Sequence, residues 1–189
     1  MAITRFRDEN YYLSSMYPLH HGVMTEDGHL VRSVEVGYQA DKWKNYPEIR
    51  RRFLGMRSGY EAKRESKKIE VVGSDVAEDL LINEKKLKSM RWYVAQKFTR
   101  NEGIARRLIE TGDEMIVEGN HWGDDFFGAC TDGEGRLIGG NNLGLILMEA
   151  RGLLQQEQSL TALNQKLGQI VVAQSRDWSE HTGYFPGVA

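Results

Sequence analysis

The stretch Ser33-Val34-Glu35-Val36-Gly37-Tyr38-Gln39-Ala40-Asp41-Lys42 predicts a helix with one polar face. Ser33 favours the cap position at a helix N-terminus, and Glu35 then falls in the first turn, where the helix dipole favours a negative charge. Side chains three or four positions apart lie on the same face of a helix. This spacing groups Glu35, Tyr38, Gln39 and Lys42. Such a stripe suits a ligand surface, and the alternative is an exposed face with a Glu–Lys pair.

Helical signals dominate the chain beyond this stretch. The first helix is expected to run towards Tyr46, and Pro47 fits the first position of the next helix. A long helix, capped by Asn83, is predicted to reach about Arg100, because its apolar residues recur with a period near 3.6. Those residues are Leu87, Met90, Val94 and Phe98.

The rest of the chain predicts three more helical segments and a small β element. Residues 102–111 form a helix that Gly112 ends, and Asn142 starts another. Residues 22–32, with an Asp-Gly turn signal at their centre, predict a β-hairpin. Residues 160–172 are expected to be helical, with a strand near their end as the alternative that periodicity leaves open. The predicted fold class is mainly α: a compact multihelical array with a small β-hairpin element.

Composition excludes several classes of protein. The chain has 189 residues, of which 40% are hydrophobic and 28% charged, which suits one folded domain with or without an appendage. A formal net charge of −2 excludes a generally basic nucleic-acid coat and leaves a local basic groove open. Cys130 is the single cysteine, so a disulfide scaffold and a cysteine-rich zinc site are excluded.

The chain shows no signal for a membrane or for export. It contains no run of 18 apolar residues, and residues 1–12 lack the apolar core of a secretory signal. With one cysteine, a reducing compartment is expected. The predicted protein is therefore soluble and cytoplasmic, without a membrane partner.

Charge is unevenly distributed along the chain. Residues 50–68 carry eight basic and two acidic side chains, whereas residues 110–134 carry eight acidic and no basic ones. This pattern fits a polyanionic ligand held beside carboxylates. The alternative is two solvated faces that neutralise each other.

Residues 118–128 mix chemistry-bearing side chains with flexible glycines. The stretch reads Glu118-Gly119-Asn120-His121-Trp122-Gly123-Asp124-Asp125-Phe126-Phe127-Gly128. Loops of this kind often line binding pockets, and an indole beside a carboxylate keeps a site dry, which raises the pKa of an acid. The alternatives are a solvated turn with its rings in the core, or a hard-cation site made by Glu118, Asp124 and Asp125.

Ordered motifs along residues 11–154 resemble the YbiA-like, or NADAR, family. Its S-V-E-H-A-Y-Q-A-x-K matches residues 33–42, and its E-G-N-x-W-x-D matches residues 118–124. The other matching pieces are Tyr12–Pro18, Gly28, Ala62-Lys63, Met90, Lys97-Phe98, Leu108–Asp113, Phe126–Gly128 and Asn142–Arg151. The resemblance implies a YbiA-like domain over residues 1–155, and residues 156–189 are expected to be a C-terminal extension packed on it.

The resemblance implies an N-glycosidase, a hydrolase that cuts a bond between ribose and nitrogen. The substrate classes implied are a phosphoribosylamino-pyrimidine intermediate of riboflavin synthesis and ADP-ribose attached to guanine in nucleic acid. The expected ligand is a phosphorylated ribosyl or ADP-ribosyl small molecule, with ADP-ribosylated nucleic acid as a further partner. No cofactor and no metal are expected.

The chemistry of this cleavage selects the candidate residues. Breaking a ribosyl C–N bond builds positive charge on the sugar, water must be activated, and the leaving base needs a proton. Glu35 and Asp124 are the predicted catalytic pair, with their individual roles left open.

The predicted substrate contacts surround this pair. Trp122 is expected to stack on the base, Asn120 to bind sugar hydroxyls, and Lys63 and Arg151 to bind phosphate. Arg57 and Arg64 are further phosphate candidates near Lys63 in the sequence. Tyr38, Gln39 and Asn142 complete the predicted substrate-binding set.

The sequence also departs from the family pattern. Ser15 replaces an Asn, Val36 a His, Gly37 an Ala, and Phe127 a Trp. These changes indicate a divergent member with altered substrate preference or lost activity. Two other functions therefore stay open: a non-catalytic module that binds a nucleotide or ADP-ribose, and a helical interaction protein, which predicts no cleft joining Glu35 to Asp124.

Overall fold

Helix α1 (Val34–Lys42) packs against three other helices and is buried from Val34 to Ala40. The computed structural model describes residues 2–72, 83–132, 134, 136–159 and 161. Ser33 caps α1 as predicted, since its side chain accepts a hydrogen bond from the Val36 backbone N–H (3.2 Å). The helix ends at Lys42, short of Tyr46. Trp43 is its C-cap and has left helical geometry (φ −106°, ψ 23°), and Tyr46, which precedes Pro47, is also non-helical (φ −126°, ψ 80°).

Five further α-helices lie in the described part of the chain. Their bounds are α2 Pro47–Leu54, α3 Gly59–Val72, α4 Asn83–Thr99 and α5 Glu102–Glu110, and residues 142–159 are helical as α6. The sequence predicted all of these except α3. Pro47 opens α2, and Gly112, just beyond α5, has a positive φ of 56° that suits glycine. On α4 the predicted apolar face is buried at Met90, Val94 and Phe98.

In the described part of the chain, seven short strands form three small sheets. Their bounds are β1 Ala2–Ile3, β2 Val23–Met24, β3 Leu30–Val31, β4 Met115–Ile116, β5 Gly119–Asn120, β6 Ala129–Thr131 and β7 Leu137–Ile138. The antiparallel pair β2–β3 is the predicted hairpin. The sequence predicted neither the parallel pair β1–β4 nor the sheet β5-β6-β7, because strands of two or three residues have no visible periodicity. A 3-10 helix covers Asp8–Leu13.

The apolar core of the first unit lies between these helices. Its fully buried side chains include Leu13, Phe53, Tyr93, Phe98, Leu108, Leu143 and Leu147. The fold is therefore mainly α with a small β content, as predicted. Among the described residues, none of the helices is long and apolar enough to cross a membrane.

The chain divides into two units, Met1–Arg151 and Gly152–Ala189. In the second unit the structure describes residues 152–159 and 161, all helical. The predicted helix or strand at 160–172 falls almost entirely outside the described residues. The C-terminal extension over 156–189, and its packing on the domain, therefore stay predictions.

Gly37 gives the first testable prediction. A Cβ at this position would lie 2.5 Å from Cε1 of Tyr93, whose ring is fully buried and whose hydroxyl donates to Asp41 Oδ1 (2.9 Å). Because the ring cannot move away, we expect Gly37→Ala to lower the free energy of unfolding by about 1–3 kcal/mol. Chemical denaturation of both proteins measures the change.

Gly103→Ala is the matched control, since Gly103 is also helical and a Cβ there meets nothing within 4 Å. Alanine favours a helix more than glycine does, so this variant should be neutral or slightly more stable than the wild type. Equal stability of the Gly37→Ala protein and the wild type would contradict the packing described for Tyr93.

Candidate active site

A cavity of about 780 Å³ in the first unit joins the two predicted catalytic residues. It is lined from the N-terminal segment, the 14–16 segment, α1, α3, α4 and residues 118–127. The predicted site residues that line it are Glu35, Tyr38, Lys63, Asn120, Trp122 and Asp124. If the protein were only a helical interaction protein, no cleft would join Glu35 to Asp124. That prediction is wrong, because both residues line this cavity.

Glu35 is buried in the first turn of α1, at 3% exposure, and both its carboxylate oxygens are held. Ser15 Oγ donates a hydrogen bond to Oε2 (2.8 Å), and Gln39 Nε2 donates to Oε1 (2.7 Å). The Glu35 backbone N–H in turn donates to the Ser15 carbonyl oxygen (2.9 Å). Two neutral donors thus fix the carboxylate in one orientation towards the cavity. Ser15 keeps a side-chain donor where the family pattern has Asn.

Asp124 lies in a turn that Asn120 holds together. Asn120 Oδ1 accepts from the Asp124 backbone N–H (3.0 Å), and Asn120 Nδ2 donates to the Asp124 carbonyl oxygen (2.7 Å). The Asp124 carboxylate accepts from the Phe127 backbone N–H at Oδ1 (3.0 Å), and Lys63 Nζ lies 3.9 Å from Oδ2. The Asp124 side chain is 23% exposed, so it is reached by solvent. The amide of Asn120, predicted to bind sugar, shapes this turn.

Glu118 is a third acid at the site and was not part of the predicted catalytic pair. Its Oε2 is buried and has no hydrogen-bond partner among the described residues, and the residue lines the cavity. Burial raises the pKa of Glu118 to about 8, with further increases from the charges of Asp124 and Glu35 and opposing effects of Lys63 and Lys97. At neutral pH Glu118 is therefore mainly a neutral carboxylic acid, close enough to both other carboxylates to sense their charge. The family's E-G-N motif was the sequence signal for it.

Lys97 lies behind the site on α4. It is fully buried, and its Nζ donates to the Ser14 carbonyl oxygen (2.8 Å). Burial lowers the pKa of Lys97 to about 7, and the charge of Glu118 acts in the opposite direction. This bond ties α4 to the segment that carries Ser15, so it supports the orientation of Glu35 indirectly.

Aromatic side chains form the remaining walls. Trp122 is 51% exposed and Tyr60 is 60% exposed, and both line the cavity, so flat rings are available to a ligand. Phe127, which replaces the family Trp, is buried and packs edge-on against Tyr38 with ring centroids 5.4 Å apart. The ring contact therefore remains, and the indole N–H is absent.

Three predicted substrate contacts are not among the residues that line the cavity. Gln39 lies beneath Glu35, as its donor. Asn142 Nδ2 donates to the Phe126 carbonyl oxygen (2.7 Å). The Arg151 guanidinium is buried and donates to Thr111 Oγ1 and to the Glu114 carbonyl oxygen, both at 2.8 Å. The side chains of Asn142 and Arg151 thus bind neighbouring parts of the protein, which accounts for both positions without a ligand.

The described residues contain no group of three or more His, Cys, Asp or Glu side chains arranged to hold a metal ion. The hard-cation site considered for Glu118, Asp124 and Asp125 is therefore not formed as such a group. Phosphate candidates Arg57 and Arg64 also do not line the cavity.

The fold and the site together define a class of protein: a mainly α domain whose cavity is lined by three interacting carboxyl groups. The NADAR domain model matches residues 4–155, and the chain belongs to the NADAR family. The structure resembles the NMR structure of the E. coli protein YbiA with a TM-score of 0.61 and 24% identity, over 84% of this chain and 89% of YbiA. This likeness confirms the predicted YbiA-like fold.

The chain is also similar to a protein that is named for a metabolic pathway. "Riboflavin biosynthesis protein VVA0006" of Vibrio vulnificus (strain YJ016) is 32% identical over 150 residues, which is 79% of this chain. The match covers 37% of that protein, so the chain spans little more than a third of its length.

Arg151 gives a prediction about stability. Arg151→Met would keep the apolar stem and leave two partly buried acceptors, Thr111 Oγ1 and the Glu114 carbonyl oxygen, without their donor. We therefore expect the free energy of unfolding to fall by about 1–3 kcal/mol. Urea denaturation measures this loss. Arg106→Met is the control, because Arg106 is exposed and forms only a 3.8 Å ion pair with Glu102, which contributes little. If the Arg151→Met protein were as stable as the wild type and bound phosphorylated ligands poorly, this result would support the predicted role of Arg151 as a phosphate contact.

Glu118 gives a prediction about pH. Its pKa is raised from 4.5 to about 8, so the folded protein holds a proton that the unfolded chain releases over this range. The stability contributed by Glu118 is therefore full below pH 4.5 and is lost as the pH rises through 8. Glu118→Gln lacks this titration. We therefore expect the melting temperature of Glu118→Gln, relative to that of the wild type, to increase as the pH rises from 4.5 to 8. Thermal denaturation across that range measures the difference.

Asp125→Asn provides the comparison for that series. Asp125 is exposed and does not line the cavity, so its melting temperature should follow that of the wild type at every pH. A wild type to Glu118→Gln difference that does not change with pH would mean that Glu118 is ionised normally.

Proposed function

We propose that this protein is an N-glycosidase that hydrolyses the C–N bond between a phosphorylated or ADP-linked ribose and a nitrogenous base or amine. The observation that carries the proposal is the cavity in which a neutral acid, Glu118, interacts with two further carboxyl groups, Glu35 and Asp124. Membership of the NADAR family and the name of the Vibrio relative support an enzyme that acts on a ribosyl compound of riboflavin synthesis.

Glu118 is the proposed general acid. The leaving nitrogen must take a proton as its bond to the anomeric carbon breaks, and a donor that stays protonated near neutral pH suits this step. Burial together with two neighbouring carboxylates keeps the proton on Glu118. Its buried Oε2, which has no partner in the described part of the chain, is free to meet the leaving group.

Glu35 is the proposed stabiliser of the sugar cation. It is the more deeply buried of the predicted pair, and Ser15 and Gln39 fix both its oxygens before a ligand arrives. A preorganised carboxylate beneath the ring stabilises developing positive charge without reorganisation.

Asp124 is the proposed base for water. Its carboxylate is reached by solvent and accepts a hydrogen bond from the Phe127 N–H. Water adds to the anomeric carbon and gives a proton to Asp124, while the departing nitrogen has taken the proton of Glu118. Exchange with solvent restores both groups, so the products are the free sugar and the free base or amine.

Substrate choice within this reaction is part of the proposal. The panel consists of the phosphoribosylamino-pyrimidine and ADP-ribosylated guanine, as nucleoside and in DNA. The exposed rings of Trp122 and Tyr60 suit the flat base that each of these substrates carries. The cytoplasmic location and a nucleic-acid partner stay predictions.

The test is an assay in which each substrate of this panel is incubated with the protein and the released base or sugar is measured by chromatography. We expect turnover of at least one substrate, and Glu118→Gln, Glu35→Gln and Asp124→Asn each to lower kcat by about 10²–10⁴-fold. Wild-type activity should fall as the pH rises through about 8, where Glu118 loses its proton, and this decline should be absent from the residual activity of Glu118→Gln.

Asp125→Asn is the control for the loss of a carboxylate, since Asp125 neighbours Asp124 and does not line the cavity. It should keep full turnover. Binding of both ligand classes without turnover would favour the non-catalytic module. Full turnover in Glu35→Gln and Asp124→Asn together would refute the predicted pair.

A further inference from the structure

The basic segment noted in the sequence is largely neutralised by local ion pairs. Arg50 donates two hydrogen bonds to Asp27 (2.6 Å each), and Arg51 pairs with Glu48 at 3.0 Å. Arg52 and Lys68 both pair with Glu65. These four cations are therefore already paired, whereas Lys67 of the same basic segment lines the cavity.

The N-terminal segment brings two other arginines to the cavity. Strand β1 pairs with β4 in parallel, and the Val117 backbone N–H donates to the Ile3 carbonyl oxygen (2.8 Å). Gly119 allows Thr4 to pass closely, because a Cβ at 119 would overlap the Thr4 carbonyl oxygen. These contacts hold residues 4–7 along the edge of the cavity, next to Glu118.

Arg5 and Arg7 both reach the cavity from this segment. Both residues line it and both are exposed, whereas Phe6 between them lines it and is half-buried. Two exposed guanidinium groups two positions apart are therefore available at the same edge of the cavity.

Three exposed cations at the cavity have no acidic partner within the described residues: Arg5, Arg7 and Lys67. Glu35 and the Oε2 atom of Glu118 are buried in the same cavity. The cavity therefore has cations towards solvent and carboxyl groups in its interior. A ligand with an anionic end and a ribosyl C–N bond at the other end matches this order of charges.

We propose that Arg5, Arg7 and Lys67 form an anion subsite that binds the phosphate or pyrophosphate of a ribosyl ligand whose anomeric carbon lies at the three carboxyl groups. The subsite rests on the proposed function for the position of that carbon. Arginine suits phosphate because its planar fork donates two hydrogen bonds at once, and two adjacent arginines suit the paired phosphates of a pyrophosphate. Lysine adds a point charge from the opposite element, α3.

Calorimetric titration of the full chain tests the subsite without requiring turnover. The probes are ribose 5-phosphate, ADP-ribose and unphosphorylated ribose. We expect the wild type to prefer both phosphorylated probes, and the Arg5→Ala/Arg7→Ala double variant and Lys67→Ala to raise their Kd by about tenfold or more, because each loses charge-assisted hydrogen bonds. The affinity for ribose should not change. Higher salt should weaken the wild type more than the double variant.

Arg57→Ala is the matched control, since Arg57 is exposed, carries the same charge and does not line the cavity. It should bind all probes like the wild type. Among the described residues, the side chains of Arg5 and Arg7 form no hydrogen bond or ion pair, and unchanged melting temperatures of their variants verify folding. The proposal is overturned if the wild type does not prefer phosphorylated probes, if the double variant binds them normally, or if Arg57→Ala weakens binding equally.

A single-stranded oligonucleotide separates the two sources of phosphate. If its affinity falls in the double variant while ribose 5-phosphate and ADP-ribose bind unchanged, the cations meet a nucleic-acid backbone and the ribosyl-phosphate subsite is refuted. Turnover measured on the same proteins separates the two proposals. Arginine-dependent binding without turnover supports the subsite and refutes the hydrolase, whereas turnover with an unchanged Kd does the reverse.

Discussion

Three carboxyl groups share one partly desolvated cavity, and the electrostatic cost of that arrangement governs the structure around it. Like charges at short range, removed from water, disfavour ionisation of at least one member. In this protein Glu118 keeps its proton, Glu35 is held by neutral donors, and Asp124 lies beside the ammonium group of Lys63. Each acid thus has a different environment, and different environments permit different chemical roles in a single site.

These environments depend on contacts between segments that are distant in the chain. Lys97 on α4 holds the Ser14 carbonyl, and the adjacent Ser15 holds Glu35 on α1. On the opposite wall Asn120 closes the turn that carries Asp124. The site is therefore a product of the packing of α1, α4 and the strands after β4, and a change in that packing would alter the protonation of the acids as well as their positions.

Local rules in the sequence predicted every described α-helix except α3, and non-local contacts decided the site. Ser33, Pro47 and Gly112 act on their own neighbours, so their positions alone indicate where helices begin and end. Gln39 is polar on a helix face, and that pattern does not distinguish a ligand contact from a donor to Glu35.

Local sequence rules could not predict that Glu118 is protonated. This protonation results from burial and from two charges located 83 residues before and six residues after Glu118 in the sequence, which only the folded chain brings together. The cavity contacts of Arg5 and Arg7 were missed for a similar reason, since they follow from a two-residue parallel strand pair that leaves no periodic signal.

The departures from the family pattern bear on the choice between altered specificity and lost activity. Ser15 still donates to Glu35, Gly37 accommodates the ring of Tyr93, and Phe127 still packs against Tyr38. These three positions differ from the family pattern, whereas Glu35, Glu118 and Asp124 match it and line the cavity.

Burying several acids together lowers stability unless the fold supplies compensating contacts, and groups with strongly shifted pKa values concentrate at functional sites. A chain that only needed to fold would be more stable with an apolar side chain in place of the buried Glu118. The cavity still bears the cost of a buried carboxyl group, which fits a retained functional site.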